Sequence, residues 1–306
     1  MEVEAFKRLY PLPFYERYLD SSVRPDGRPL GRARPTSVSL GAVSTADGSA
    51  LVKIGNTTML AGVKLEVMVP SQETPEQGSI TVDFQMPPIC SPLVRPGRPV
   101  EAASVISEQL SNVLTSSELV NLSELCIAPG KAAWMAYLDV YCLDADGSLL
   151  DTALLASVAA LAHLQLPAVS VSEEGRVYPV SSTTSGDVSM EGAETSIKGK
   201  GNSISPRRRL KLGAAPFALT CMVHKKHLLA DPCAEEETLL QSSITITMNQ
   251  MGRLVSFYKP GGAVPATTAI VKECISLAQR RAREVQQILK EALEDHIESP
   301  SLMQTD

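Results

Sequence analysis

The chain has 306 residues, 44% hydrophobic and 20% charged, enough to bury one large core, and we read it as one folded domain. Its formal net charge of −6 excludes a protein that coats nucleic acid through bulk basicity, so any nucleic-acid contact must come from a local patch or from neighbouring subunits. Six scattered cysteines without a CxxC pair give no zinc knuckle and no dithiol redox motif, and charges throughout the first twenty residues break up any secretory signal or membrane span.

Phe6, Tyr10, Phe14, Tyr15 and Tyr18 recur as one face of a short helix, which marks residues 1–22 as a docking segment. Arg24-Pro25-Asp26-Gly27-Arg28 follows, where Pro at the second turn position and Asp-Gly behind it build a turn. After Val38-Ser39-Leu40-Gly41 come two β-prone runs, Ala50 to Ile54 and Thr57 to Lys64, joined by Gly55-Asn56, a two-residue hairpin connector that favours positive φ. From Pro70 to Pro99 proline and glycine surround Asp83-Phe84-Gln85-Met86-Pro87-Pro88, a strand fading into a long loop that ends at Arg95 and Arg98.

Helical spacing appears at Val105, Ile106, Leu110, Val113 and Leu114, and a strand runs from Trp134 to Leu143. Nearly every position from Thr152 to Leu164 is Ala, Leu or Val, which predicts a helix buried on most of its circumference, with His163 a satisfied histidine at its end. Residues 181–208 hold too little apolar surface to offset the entropy of ordering and read as a flexible insertion. The basic run Arg207-Arg208-Arg209-Leu210-Lys211 then reads as the solvated end of that loop, with phosphate contact as the alternative. Strand signals resume at Phe217 to Val223 and Ile244 to Met248, turn at Asn249 to Gly252, and continue at Leu254 to Tyr258. A long helix follows Lys259-Pro260-Gly261-Gly262, and residues 298–306 form a disordered tail. Strands, helices, then strands and a helix again predict an α+β fold of two similar strand-then-helix halves over residues 23–297.

The pentapeptide at 24–28, taken with Ala46-Asp47-Gly48-Ser49-Ala50, Gly55-Asn56-Thr57-Thr58, Cys142-Leu143-Asp144-Ala145-Asp146-Gly147 and Lys259-Pro260-Gly261-Gly262, resembles the RNase PH-like family. That family includes phosphorolytic 3′ exoribonucleases and the ring subunits of the eukaryotic RNA exosome. The resemblance runs from about residue 14 to 292, apart from the insertion. It implies an RNase PH-like fold in a six-membered ring of related subunits, crowned by S1-type RNA-binding cap subunits. Single-stranded RNA threads through such a ring to an associated 3′–5′ exoribonuclease. It also implies residence in the cytoplasm and nucleus, including the nucleolus, and no cofactor.

In active relatives a glycine-rich stretch ending in arginine opens a buried helix and binds orthophosphate, the attacking nucleophile. The helix N-terminus offers unpaired N–H groups and the arginine a bidentate clamp. Here the corresponding stretch is Ala145-Asp146-Gly147-Ser148-Leu149-Leu150-Asp151-Thr152-Ala153, so the resemblance puts Asp151 where the arginine would be, as the N-cap of the Thr152 helix. At ~4 Å and an effective dielectric of ~20, each unit charge is worth roughly 4 kcal/mol, so this exchange turns attraction into repulsion. The acidic pair of active relatives falls near Glu237 and Ser243, and a serine replaces a carboxylate neither as proton acceptor near neutral pH nor as a strong Mg²⁺ ligand. Glu235-Glu236-Glu237 reads as a solvated acidic loop. His224 and His227 have no cysteine partner, and no P-loop or GxGxxG is present.

With these departures the resemblance implies a non-catalytic ring subunit with no catalytic and no metal residues, and it puts Arg95 and Arg98 where related subunits face RNA phosphates in the channel; the other reading is surface arginines of no consequence. The alternative is a phosphate-dependent 3′–5′ exoribonuclease, alone or in a composite site with a neighbour. A free-standing RNA-binding module is disfavoured by the acidic charge and by too few aromatics suited to base stacking.

Overall fold

A computed structural model of the chain describes residues 2–97, 100–172, 176–179, 207–262 and 264–298. Two helices, α1 (Glu2–Leu9) and α2 (Pro11–Asp20), precede the first half. That half comprises β1 (Thr36–Leu40), β2 (Gly48–Ile54), β3 (Thr57–Met68), β4 (Ser79–Gln85), α3 (Glu101–Ser116), β5 (Cys126–Ala128), β6 (Ala132–Asp144) and α4 (Leu149–His163). Its sheet runs β1-β2-β3-β6-β4, with β5 added to β6. The β2–β3 hairpin turns at Gly55, which stands at φ +60 as the two-residue connector requires. Along β3 buried and half-buried positions alternate from Thr57 to Val63, so one face meets the core. β4 runs parallel to β6, a pairing that needs a crossover, and α3 supplies it.

The chain then forms β7 (Gln165–Pro167), β8 (Val169–Val171), β9 (Val177–Pro179) and β10 (Arg207–Arg209). The second half follows with β11 (Pro216–His224), β12 (His227–Ala230), α5 (Ala234–Leu240), β13 (Ser243–Asn249), β14 (Leu254–Tyr258) and α6 (Thr268–Glu298). Its antiparallel sheet is ordered β12-β11-β13-β14. The basic run is therefore not a loop end: Arg207, Arg208 and Arg209 pair in register with Pro167, Leu166 and Gln165. Strand β10 takes in two residues that the sequence assigns to the insertion, while the rest of residues 181–206 and the tail at 299–306 lie outside the described residues.

Helix α4 sits between the halves, against β1, β2, β3 and β6 on one side and β11 on the other. Every residue from Leu150 to Leu161 is buried, as its near-continuous apolar sequence dictates. At its end His163 Nδ1 accepts the Ser49 N–H at 3.2 Å, and its ring meets His296 of α6 edge-on at 4.6 Å. The N-terminal aromatics dock on this same chain. Phe14, Tyr15 and Leu19 are buried, and Leu19 joins Met222, Leu229 and Leu240 in a small core of the second half.

Candidate functional site

The arginines of the 24–28 turn point into the second half of the fold. Arg24 is 0% exposed, and its Nη1 donates to Asp231 O at 3.1 Å and to Glu236 Oε2 at 3.3 Å. Its Nη2 donates to the carbonyls of Leu30 and Ala230. Arg28 Nη1 donates to Asp231 O at 3.3 Å. The turn thus fastens the N-terminal segment to the corner between β12 and α5. That corner is no solvated acidic loop. Glu235, Glu236 and Glu237 lie in α5, Glu236 is 2% exposed against Arg24, and its Oε2 also caps the Cys233 N–H at 3.0 Å. Acidic residues belong in the first turn of a helix because its N-terminus carries partial positive charge.

Arg34 completes the junction. Its Nε and Nη2 donate to Asp231 Oδ2 and Oδ1 at 3.0 and 2.8 Å, and Nη1 reaches the Asp146 carbonyl and side chain. Burial alone would raise the Asp231 carboxyl, but the Arg34 bonds hold it below the usual carboxylate value. Asp146 also accepts from Asn56 Nδ2 at 3.1 Å and caps the Ala234 N–H at 3.2 Å. One arginine therefore ties the β2–β3 hairpin, the β6–α4 loop and the start of α5 into a single block. Gly147 makes that approach possible: at φ +74, a Cβ there would lie 2.5 Å from Pro232 O.

At the head of α4 the cap is Ser148, in the left-handed region at φ 48, and not Asp151. The Ser148 N–H is taken by Glu237 Oε1 at 2.8 Å, and its hydroxyl donates to Pro232 O at 3.1 Å. Asp151 lies in the first turn, turned inward onto β11, where it accepts Thr220 N–H at 2.6 Å and Thr220 Oγ1 at 2.9 Å. Thr220 Oγ1 is in turn 2.9 Å from Thr245 Oγ1 of β13. Burial pushes the Asp151 carboxyl up to about 7, against the opposing pull of the Thr220 bonds, and burial also raises Glu237. Asp151 is thus only part-charged near neutral pH, and the full charge reversal expected from the sequence is correspondingly reduced.

The structure brings Glu237 to the helix head that the sequence singles out, whereas Ser243 starts β13 opposite Met222, on the same strand face as Thr245. Arg95 lies exposed in the loop between β4 and α3, which Cys90 and Val94 anchor in the core, and Cys90 O accepts the Ala145 N–H at 3.0 Å. That bond fixes the loop beside the chain entering α4. Arg98 is outside the described residues. His224 and His227 oppose each other across the β11–β12 hairpin and face Glu16 and Asp20 of α2 at 2.9 and 3.6 Å. Among the described residues no group of three or more His, Cys, Asp or Glu is placed to hold a metal ion, and no helix is long and apolar enough to cross a membrane.

Arg34 and Asp231 escaped the sequence reading. They are 197 positions apart, and nothing local distinguishes Arg34 from any surface arginine.

A mixed sheet with a buried central helix, a second antiparallel sheet, and a helix head closed by loops from both halves define a two-part RNase PH architecture. The 3′ exoribonuclease family, domain 1, matches residues 32–167, and domain 2 of the same family matches residues 214–281, so the chain belongs to this family. It is 32% identical over 270 residues to exosome complex component Rrp42 of Methanopyrus kandleri, spanning 88% of this chain and 92% of that one. It is 32% identical over 277 residues to exosome complex component rrp43 of Schizosaccharomyces pombe, spanning 90% and 94%. Among solved structures it resembles a chain of the Archaeoglobus fulgidus exosome with RNA bound to the active site, with a TM-score of 0.74, 26% identity, and 90% and 96% of the two chains covered.

Proposed function

We propose that this chain is a non-catalytic ring subunit of an RNA exosome. In this reading it helps form the channel that guides single-stranded RNA 3′ ends to a separate 3′–5′ exoribonuclease, in rRNA processing and RNA decay. Its partners are related ring subunits and S1-type cap subunits, and its place is the cytoplasm and nucleus, including the nucleolus. Relatives named as exosome components, aligned over nearly the full length of both chains, support membership in such a complex.

The observation that carries the non-catalytic part is the carboxylate of Glu237 on the Ser148 N–H. An incoming phosphate needs the free donors and positive end of α4. Glu237 already occupies one of those donors, Asp151 stands in the first turn, and both groups oppose an anion to the extent that they are ionised. The phosphate-dependent exoribonuclease is the weaker reading for that reason. Assembly is tested by the mass of the native complex and the identity of its co-purifying chains. Related folds and S1-type caps are expected, and a stable monomer with no affinity for related subunits would contradict the proposal.

A further inference from the structure

A second concave surface lies between residues 29–33 and helix α6. It is a cleft of about 580 Å³ lined by Arg32, Arg280, Arg281 and Glu284, with Leu219 and Leu277 among its apolar lining residues. None of Ser148, Asp151 or Glu237 contributes to it. Arg32 comes from the loop behind the 24–28 turn and Arg280 from α6, so the two cations stand on different walls; both are exposed. Arg280 Nη2 reaches the Gly31 carbonyl at 3.3 Å, but among the described residues neither Arg32 nor Arg280 has a carboxylate partner. Arg281 is 9% exposed and is held by Thr36 Oγ1 and by Glu284 Oε2 at 3.4 Å.

Three guanidiniums therefore surround a concavity that carries one carboxylate, in a chain whose net charge is −6. A cleft lined by one sign of charge between low-dielectric walls concentrates ions of the other sign. Guanidinium forks match phosphate oxygens in pairs, and a volume of this size suits a nucleotide-scale ligand with an apolar wall for its base.

We propose that this cleft binds a phosphate group through Arg32, Arg280 and Arg281. The phosphate belongs either to a free ion or nucleotide or to the backbone of an RNA strand. Equilibrium dialysis of the full chain with labelled inorganic phosphate, AMP and a 5′-hydroxyl oligoadenylate separates these sources. Saturable binding of phosphate and AMP alone assigns a free-ligand site, and binding of the oligoadenylate assigns the strand backbone.

In either case Arg32→Glu with Arg280→Glu, two exposed positions, weakens binding by at least about tenfold, since charge-assisted hydrogen bonds of this strength are lost and the field is reversed. Arg32→Lys with Arg280→Lys keeps the charge but loses the fork, and falls between the two. Circular dichroism confirms that each variant is folded. Absence of saturable binding of all three probes to the wild type, or an unchanged affinity in the folded double-glutamate variant, overturns the proposal.

Discussion

Arg34 and Asp231 meet through two side-chain hydrogen bonds, Nε to Oδ2 at 3.0 Å and Nη2 to Oδ1 at 2.8 Å, and the Arg34 backbone N–H adds a third at 2.7 Å. Both residues are buried, at 7% and 2% exposure, and Asp231 holds φ +51, a conformation that aspartate tolerates better than most residues. Through this pair the first half of the fold sets the geometry of the second half at the head of α4.

Removing Arg34 takes the two-pronged partner from a buried carboxylate and leaves it Arg28 Nη1 at 3.5 Å. Arg34→Met is expected to lower stability by about 3–5 kcal/mol in urea unfolding near pH 7. Arg34→Met with Asp231→Asn should recover part of that loss, because asparagine carries no charge and accepts the same backbone angle. A single-variant loss below about 1 kcal/mol would show that the pair does not hold the junction.

Asp151 gives the fold a pH dependence of known sign. Its carboxyl is raised by burial to about 7, far above its unfolded value, so its proton favours the folded state. That contribution is fully present in acid, below the unfolded value, and is lost as pH rises through about 7. Asp151→Asn keeps an acceptor for the Thr220 N–H and cannot ionise. Its stability should gain on the wild type as pH rises from 5 to 8.5, by roughly 2–3 kcal/mol, the rest of the linkage lying below pH 5. A gap between variant and wild type that stays constant with pH would mean that Asp151 does not titrate in this range.

The Arg95 loop is pinned to the α4 entrance by the Ala145 N–H on Cys90 O, with Arg95 exposed at its outer side. In the assembled complex, Arg95→Glu with Arg98→Glu should weaken single-stranded RNA binding for all sequences and reduce the salt slope by roughly one to two. Filter binding across a salt series measures both. Unchanged affinity and slope in a fully assembled variant would take these residues out of the RNA path.

Much of the fold is legible in the sequence because its signals are local. The Gly55-Asn56 hairpin, the predominantly apolar α4 and the Phe217–Val223 strand each declare themselves by period or by turn residues. The site is less legible because it is built from long-range contacts. Arg24-Pro25-Asp26-Gly27-Arg28 reads as a turn, yet its arginines matter through carbonyls and carboxylates more than 200 positions away. Glu235-Glu236-Glu237 reads as solvated because the charge run is visible and Arg24 and Ser148 are not. Asp151 reads as an N-cap because the left-handed Ser148 that moves the cap three residues earlier leaves no mark in composition.

On the proposed reading, the head of α4 performs no phosphorolysis. Incubating the purified chain with single-stranded RNA, Mg²⁺ and inorganic phosphate, and following nucleoside diphosphates by chromatography, tests it most directly. No release above a phosphate-free control is expected. Release that requires phosphate, and that changes when Glu237→Gln frees the Ser148 N–H from a carboxylate, would contradict it.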